Sequence, residues 1–351
     1  MNKPRRTAGR LLAFGAALLI PIAGTLAQSA VPPDMLRKQE ITETDRQTIK
    51  AFIAANKAGL STNSPAEIKK SREALVAPLE NPGGVSVPFR VAYANALIET
   101  GEINKIAANK DNDLAAANAL RVAGQAATGN TLNIVLEGLK DSRPQVRYAA
   151  TVAARAAFVA AKAAPALSAD ELSKVMRELA ATAAKDAAKQ PVDGALQAMI
   201  AARDTAVPGV RSLVITRLAD AAGARASAVA ASGDADGIPP LLRVAAAIRA
   251  DVTDAANLPA ETKTAAAAFA ARTFNAVAGA WKSDEPSDAM VQATKAAAAI
   301  LALLDPAGTQ RFPIGEFVAP GKREQFDQEL KKTLDVLKGA PYNLPAEALK
   351  P

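Results

Sequence analysis

Alanine accounts for 86 of the 351 residues, and this abundance constrains the fold more than any other feature of the sequence. Alanine has the highest helix propensity of the amino acids, and its small side chain lets two helix axes approach closely. Only 13 residues are aromatic (9 Phe, 3 Tyr and 1 Trp), so the hydrophobic half of the chain consists mostly of small side chains. No sustained period-two run rich in Val, Ile and Thr indicates a β-strand. We therefore predict an all-α fold of closely packed helices.

Neither cysteine nor histidine occurs in the sequence. This composition excludes disulfides, thiolate nucleophiles, iron–sulfur clusters, zinc sites built on Cys or His, and the Ser-His-Asp triad. The common nucleotide, zinc-protease and hydrolase motifs are also missing, and no acidic cluster resembles a calcium loop. Glycosidases can work with two carboxylates alone, but one Trp and three Tyr are a small supply for a sugar site. We predict a non-catalytic protein with no catalytic, cofactor-binding or metal-binding residue.

The net charge of +7 is concentrated at the amino terminus. The first 27 residues hold four basic residues and no acidic one, which leaves 38 basic and 35 acidic residues in the remainder. A remainder this balanced is not typical of a phosphate-binding surface. We therefore predict no nucleic-acid partner.

The same terminus has the layout of a secretory signal peptide. A basic stretch over 1–10 precedes an apolar run over 11–26, and Thr25 and Ala27 are small residues of the kind that a signal peptidase recognises. We predict a signal peptide over 1–27, cleaved after Ala27, and export to the periplasm or the medium. The run is short for a membrane span, so we predict no span in the mature chain, with an uncleaved anchor as the alternative.

Short breaks of Pro, Gly, Asp or Ser divide the rest of the sequence into about a dozen predicted helices. Ser64 and Ser168 each precede a glutamate by three residues, which predicts two capped helix starts. The other helices are predicted near 46–57, 88–100, 113–127, 131–140, 144–162, 191–203, 208–231, 239–252, 260–282, 287–304 and 322–338. In domain terms we predict an exposed lead-in over 28–45, a helical repeat domain over 46–304, a long irregular loop over 305–321, a capping helix over 322–338 and a tail over 339–351.

The most informative pattern lies within 136–158. A short apolar helix is predicted to end at Asp141, Pro144 follows in a turn, and a second helix opens around Arg147. The same residue types recur in two later places: Asp204 with Pro208 and Arg211, and, less closely, Asp236 with Pro240 and Arg243. The three arginines of this pattern lie 64 and 32 residues apart, which indicates a unit of about 32 residues.

Over 136–250 this pattern resembles the HEAT repeats of armadillo-type α-solenoid proteins. The resemblance implies a HEAT-like α-α superhelix and a binding role, without implying a ligand. It also implies that the repeat arginines pair with the aspartates of their own or a neighbouring repeat, and Asp141 and Asp204 are the expected anions. A basic stripe formed by Arg147, Arg211 and Arg243 is the alternative.

Three aromatic residues near the carboxyl end are candidate contacts for a partner. Trp281 is expected to be a packing anchor, with partner docking as the alternative. Phe312 and Phe317 lie in the long loop, which we expect to pack back onto the body as a strap, again with partner docking as the alternative. The capping helix carries an apolar stripe that we expect to pack on the helix at 287–304: Phe326, Leu330, Leu334 and Leu337.

We therefore predict an exported, non-catalytic helical-repeat scaffold that binds another protein through one face of the solenoid. One alternative is an envelope protein that binds a small molecule or glycan, or that acts as a carboxylate-based enzyme, on the same helical scaffold. Another is a purely structural envelope component. A deep cleft with converging carboxylates would favour the small-molecule or enzyme alternative, whereas a long exposed apolar patch would favour the scaffold.

Overall fold

The computed structural model describes residues 30–81, 84–163, 166–207, 209–283, 285–305 and 312–350. These residues form fourteen α-helices and several short 3₁₀ turns, with no β-strand, which confirms the predicted all-α class. The predicted signal peptide lies outside the described residues. The helices are α1 (Glu43–Asn56), α2 (Pro65–Val76), α3 (Val87–Glu99), α4 (Ile103–Ala108), α5 (Asp113–Ala126), α6 (Gly129–Leu139), α7 (Pro144–Ala163), α8 (Ala169–Lys185), α9 (Lys189–Ala202), α10 (Arg211–Ser232), α11 (Ile238–Asp251), α12 (Ala260–Ala280), α13 (Asp288–Leu304) and α14 (Arg323–Leu337).

Side-chain caps define the two helix starts that carried a Ser and a Glu in the sequence. The Ser64 hydroxyl accepts a hydrogen bond from the backbone N–H of Glu67 at the start of α2. At the start of α8, Ser168 and Glu171 form a reciprocal capping box, with 2.7 Å between the Ser168 backbone nitrogen and the Glu171 carboxylate. Each cap satisfies backbone N–H groups that have no partner within the helix.

The helices pack in two layers. The first layer contains α1, α3, α6, α8, α10, α12 and α14, and the second contains α2, α5, α7, α9, α11 and α13. Helices of one layer contact the next helix of the same layer, the two layers pack on each other from α1 to α13, and the short α4 packs mainly on α5. This arrangement is consistent with an array of helical repeats, in which each unit contacts its neighbours. The superhelical course of the array remains a prediction.

Small residues bring neighbouring helices of one layer into backbone contact. A Cβ atom placed on Gly124 of α5 would lie 2.3 Å from the carbonyl oxygen of Ala153 in α7. A Cβ atom on Gly279 of α12 would lie equally close, 2.3 Å, to the carbonyl oxygen of Ala230 in α10. These distances are far below van der Waals contact, so both crossings require glycine. Within the described residues, no helix combines the length and the apolar character that crossing a bilayer requires.

The segment predicted as an exposed lead-in alternates between exposed residues and a few apolar side chains that pack on the body. Val31, Met35 and Leu36 are buried, and the Leu36 carbonyl accepts a hydrogen bond from the Ser86 backbone N–H at 2.8 Å. The short 3₁₀ turn Met35–Arg37 places its two apolar side chains on the helical body. Burying these side chains removes apolar area from water, which offsets the cost of ordering the segment.

The carboxyl-terminal helix covers the end of the array, but not on the expected helix. The expected contact with α13 is wrong, because α14 packs mainly on α12 and on the 3₁₀ turn Pro313–Glu316. Phe326 of α14 is fully buried, and its ring lies 5.5 Å from the ring of Trp281, measured between centroids. Trp281 follows the last residue of α12 and gives α14 a large apolar surface at that point.

The described part of the loop and the tail pack on α13 and α12. The Tyr342 hydroxyl donates a hydrogen bond to the carbonyl oxygen of Leu301 at 2.8 Å, and its ring meets Phe312 edge-on at 5.9 Å. The Asn275 side-chain amide donates to the carbonyl oxygen of Leu349 at 3.1 Å. The predicted tail is therefore folded back onto the array over the residues that the structure describes.

Candidate functional site

All three repeat arginines form ion pairs with an aspartate on or at the end of another helix. Arg147, in the first turn of α7, donates from Nε and Nη2 to the Asp186 carboxylate at 2.6 and 2.8 Å. Arg211, the first residue of α10, donates to the carboxylate of Asp251, the last residue of α11, at 3.0 Å. The arginine and its aspartate are 39 residues apart in the first pair and 40 in the second. The first pair joins α7 to the end of α8 in the neighbouring helix pair, and the second joins the start of α10 to the end of its own partner helix, α11.

The expected anions, Asp141 and Asp204, are wrong. The Asp141 carboxylate binds Arg143 at 2.9 Å and Lys110 at 2.6 Å, and only its backbone carbonyl accepts from Arg147. Asp204 is exposed, and the cation paired with it is Lys162 at 3.8 Å. Asp141 lies in the turn before α7, where Arg143 reaches it first. The Arg147 side chain is one turn further along and faces the neighbouring helix pair instead.

The remaining repeat residues lie at helix starts. Pro144 is the first residue of α7, and Pro240 lies in the first turn of α11, where a missing backbone N–H costs no hydrogen bond. Arg243 forms an ion pair with Asp193 of α9. Pro208 lies outside the described residues. The repeat residues thus lie between helices and do not converge on one site.

The candidate docking aromatics belong to the carboxyl-terminal cap. Trp281 is 4% exposed. The centroid of the Phe326 ring and the guanidinium carbon of Arg323 each lie 5.5 Å from the centroid of the Trp281 ring. Phe312 and Phe317 are half-buried, and the Lys322 ammonium lies 5.9 Å from the centre of the Phe317 ring. These contacts leave Trp281 inaccessible to a partner.

A large cleft lies over the amino-terminal helices of the second layer. It has a volume of about 1040 Å³ and adjoins a recess of about 440 Å³ that shares part of its lining. The walls come from α2, α5 and α7 and from the segment around residues 79–90. We call the cleft and recess together the arginine groove, because five arginines line it: Arg37, Arg72, Arg90, Arg121 and Arg155.

Arg90 is the most buried cation of the arginine groove. It is 5% exposed, and its Nη1 donates to the carbonyl oxygens of Gln125 and Ala126 at 2.8 and 3.3 Å. These carbonyls end α5, where the helix dipole favours a cation. No carboxylate pairs with Arg90 in the part of the chain that the structure describes, and its buried Nε has no hydrogen-bond partner there. Burial lowers the pKa of the Arg90 guanidinium from its ordinary value.

The other groove arginines are also short of anionic partners within the described chain. Arg121 makes no hydrogen bond or ion pair with the described residues, and its Nε is buried. Arg155 donates only to the side-chain amide of Gln197, at 2.9 Å. Arg72 is the exception, since it pairs with Glu73 at 3.1 Å.

A stripe of side chains on one face of α7 runs alongside the arginine groove, and three of its four residues, Val152, Arg155 and Val159, line the groove. Tyr148, Val152, Arg155 and Val159 follow one another at intervals of 4, 3 and 4 residues, so they share one helix face. Tyr148 is 40% exposed and Val159 is 59% exposed. Helix α9 borders this face: Arg155 donates to Gln197, and a Cβ atom placed on Gly194 would lie 3.2 Å from the Tyr148 ring. We call these four residues the α7 stripe.

Acidic side chains do not converge in the clefts of the described chain. A second cleft of about 650 Å³, between α4 and α6, contains Asp141, but both of its carboxylate oxygens accept hydrogen bonds from Arg143 or Lys110. In the arginine groove, Glu73 pairs with Arg72, and Glu80 accepts from Gln125 at 3.1 Å. No group of three acidic residues within the described ranges is placed to hold a metal ion.

Sequence comparison supplies no family for the chain: no protein-family model matches it, and no curated protein matches it. The resemblance to HEAT repeats therefore rests on the residues of 136–250 alone. What the protein does has to be argued from the arginine groove and the α7 stripe.

The ion pairs between helix pairs predict acid-sensitive stability. Hydrogen bonds from Arg143 lower the pKa of Asp141, and hydrogen bonds from Arg147 lower the pKa of Asp186. Because each pKa is lower in the folded state, each carboxylate stabilises the fold above its ordinary pKa, about 3.9, and this stability is lost as pH falls below that value. Without histidine, no imidazole titrates between pH 5 and 8. Urea unfolding should show a free energy nearly constant from about pH 5.5 to 8 and falling below about pH 4.

The variant Asp186→Asn should lose stability at neutral pH and show a shallower decline below about pH 4. Asp335→Asn is the matched control, because Asp335 and Lys338 form an exposed pair, with side chains 58% and 59% exposed. Exposed pairs contribute little to stability. If the free energy of unfolding of Asp186→Asn runs parallel to that of the wild type at every pH, the Asp186 carboxylate does not contribute to the acid sensitivity.

Proposed function

We propose that this chain is an exported, non-catalytic scaffold of helical repeats that binds another protein through the outward face of its second layer. The observation that carries the proposal is the α7 stripe. It leaves a tyrosine, a valine and an arginine exposed beside the arginine groove. Exposed apolar side chains next to a cleft are typical of interaction sites.

The surroundings of the α7 stripe support a protein partner. Leu114 of α5, the neighbouring helix in the second layer, is a further apolar side chain with 43% exposure. Tyrosine and arginine are enriched at protein interfaces and contribute much of their binding energy. Export is supported by the basic and apolar stretches of 1–27 and is compatible with a chain that has no cysteine to oxidise.

Site-specific photo-crosslinking in the native envelope tests this proposal. A photoreactive amino acid is placed at Tyr148 or Val159, and in a control variant at Val336 of α14, an apolar position 36% exposed. We expect a discrete protein adduct from the α7 positions and none from Val336. Intact mass of the same purified protein shows whether residues 1–27 have been removed.

The adduct partner is then purified and mixed with the scaffold to show direct binding. Absence of an adduct from both α7 positions, or an equal adduct from Val336, would contradict the proposed function. Retention of Met1 in the exported chain would contradict cleavage of the signal peptide.

A further inference from the structure

We propose that the arginine groove binds an acidic, extended peptide segment that also carries aliphatic side chains. This inference rests on the proposed function, since the segment would belong to the protein partner. It goes further by naming the chemistry of the partner and the residues that recognise it.

The arginine groove has an excess of positive charge. Its lining contains five arginines and, among the described residues, two glutamates, Glu73 and Glu80. Glu73 pairs with Arg72, and Glu80 makes no ion pair with the described chain. Arg37, Arg90, Arg121 and Arg155 therefore have no carboxylate partner within it. Cations that face one another in a partly desolvated cleft favour an anionic ligand.

Two buried guanidinium nitrogens give independent support for an anion site. The Nε atoms of Arg90 and Arg121 are buried and have no hydrogen-bond partner among the described residues. Buried polar atoms are almost always hydrogen-bonded in proteins, so each exception calls for an explanation. Because Arg90 is held by the carbonyls at the end of α5, its guanidinium is fixed in place beside the groove.

A carboxylate supplies the acceptors that these guanidinium groups lack. The planar guanidinium of arginine binds a carboxylate through two parallel hydrogen bonds, which gives both affinity and orientation. The arginines come from α2, α3, α5 and α7 and from the segment before α1. Because they are distributed along the groove, they match a ligand with several carboxylates better than a single small anion.

The uncharged residues of the lining favour an acidic peptide over a nucleic acid as the ligand of the groove. Val76, Val85, Val152 and Val159 line the groove together with the arginines, with Val159 the most exposed of the four, and no aromatic residue is among the described residues that line it. Single-stranded nucleic acids depend on aromatic side chains for base stacking, and this lining offers none. Aliphatic contacts together with carboxylate recognition favour a peptide in which acidic and aliphatic residues are mixed.

Fluorescence anisotropy with the mature, full-length chain tests the inference. The probe is a short labelled peptide of alternating glutamate and leucine residues, and the control probe has glutamine in place of glutamate. The variants are Arg121→Gln and Arg155→Gln, which remove a charge from the groove. The matched control is Arg249→Gln, an exposed arginine of α11 outside the groove. Circular dichroism melting shows that each variant is folded.

We expect the glutamate peptide to bind and the glutamine peptide not to bind. Each groove variant should weaken binding of the glutamate peptide about tenfold or more, because each removes a charge-assisted pair, whereas Arg249→Gln should leave it unchanged. The inference is overturned if both peptides bind equally or if Arg249→Gln weakens binding as much as the groove variants. It is also overturned if a heparin fragment or an oligonucleotide binds the groove more tightly than the peptide.

Binding of the crosslinked partner to the groove variants distinguishes a failure of this inference from a failure of the proposed function. If the partner binds wild type, Arg121→Gln and Arg155→Gln equally, the chain is a scaffold but the groove does not recognise the partner, and the inference fails alone. If the peptide binds as expected but no crosslinked protein exists, the groove chemistry is right and the scaffold function is wrong.

Discussion

Replacement of Asp251 by alanine should lower the free energy of unfolding by about 3–5 kcal/mol, because it leaves a buried arginine without its carboxylate. The Asp251 side chain is 1% exposed and binds both Arg203 and Arg211. Arg203 carries most of the expected loss, since its side chain is 13% exposed, whereas that of Arg211 is 69% exposed. A carboxylate at the end of a helix is unfavourable by itself, so the ion pair must compensate for the position of Asp251 at the end of α11.

Urea unfolding at neutral pH measures this loss. Asp335→Ala provides the control, because the exposed pair of Asp335 with Lys338 should contribute less than about 1 kcal/mol. The double variant Arg203→Met with Asp251→Leu should recover part of the loss, since both buried charges are then removed. If the Asp251→Ala variant unfolds at the same urea concentration as the wild type, the assignment of a buried, stabilising ion pair is wrong.

The change Gly124→Ala should lower the free energy of unfolding by about 2–3 kcal/mol, although alanine usually stabilises a helix relative to glycine by about 1 kcal/mol. The added Cβ atom would lie 2.3 Å from the carbonyl oxygen and 2.6 Å from the Cα atom of Ala153. Both are backbone atoms, so no side-chain rotation can relieve the clash, and α5 and α7 have to move apart. These two helices carry walls of the arginine groove, so the same change should also weaken binding of the acidic peptide.

Gly339→Ala is the matched control, because its added Cβ atom would have only one neighbour, the Val336 carbonyl oxygen at 3.7 Å. Its melting temperature should stay within a few degrees of the wild type, as for an exposed substitution. Equal melting curves for the two variants would show that α5 and α7 are not in backbone contact.

The sequence predicts the helices well, because their signals are local. Alanine-rich periodicity predicts a helix at 287–304, and the structure gives α13 as Asp288–Leu304. The six-residue helix α4 was not predicted, since it is too short to show a helical period. The arginine at the start of α7 was recognised, but its partner Asp186 was not, because that pairing depends on how two helix pairs pack.

The arginine groove was missed for the same reason. Its arginines are spread from residue 37 to residue 155, and only the packing of α2, α5 and α7 brings them together. One signal was present in the sequence: Arg90, Arg121 and Arg155 recur at intervals of 31 and 34 residues, close to the unit of about 32 residues. A charge that recurs at the repeat length is placed on one face of an array, even when the overall charge is balanced.

The position of Trp281 determines what optical spectroscopy can report about this molecule. It is the single tryptophan of the sequence, and its indole is buried against Phe326 where α14 covers the end of α12. Its emission therefore reports the docking of the carboxyl-terminal cap, whereas far-ultraviolet circular dichroism reports all fourteen described helices. In an array held together by neighbour contacts, the two signals separate when the cap detaches before the remaining units unfold.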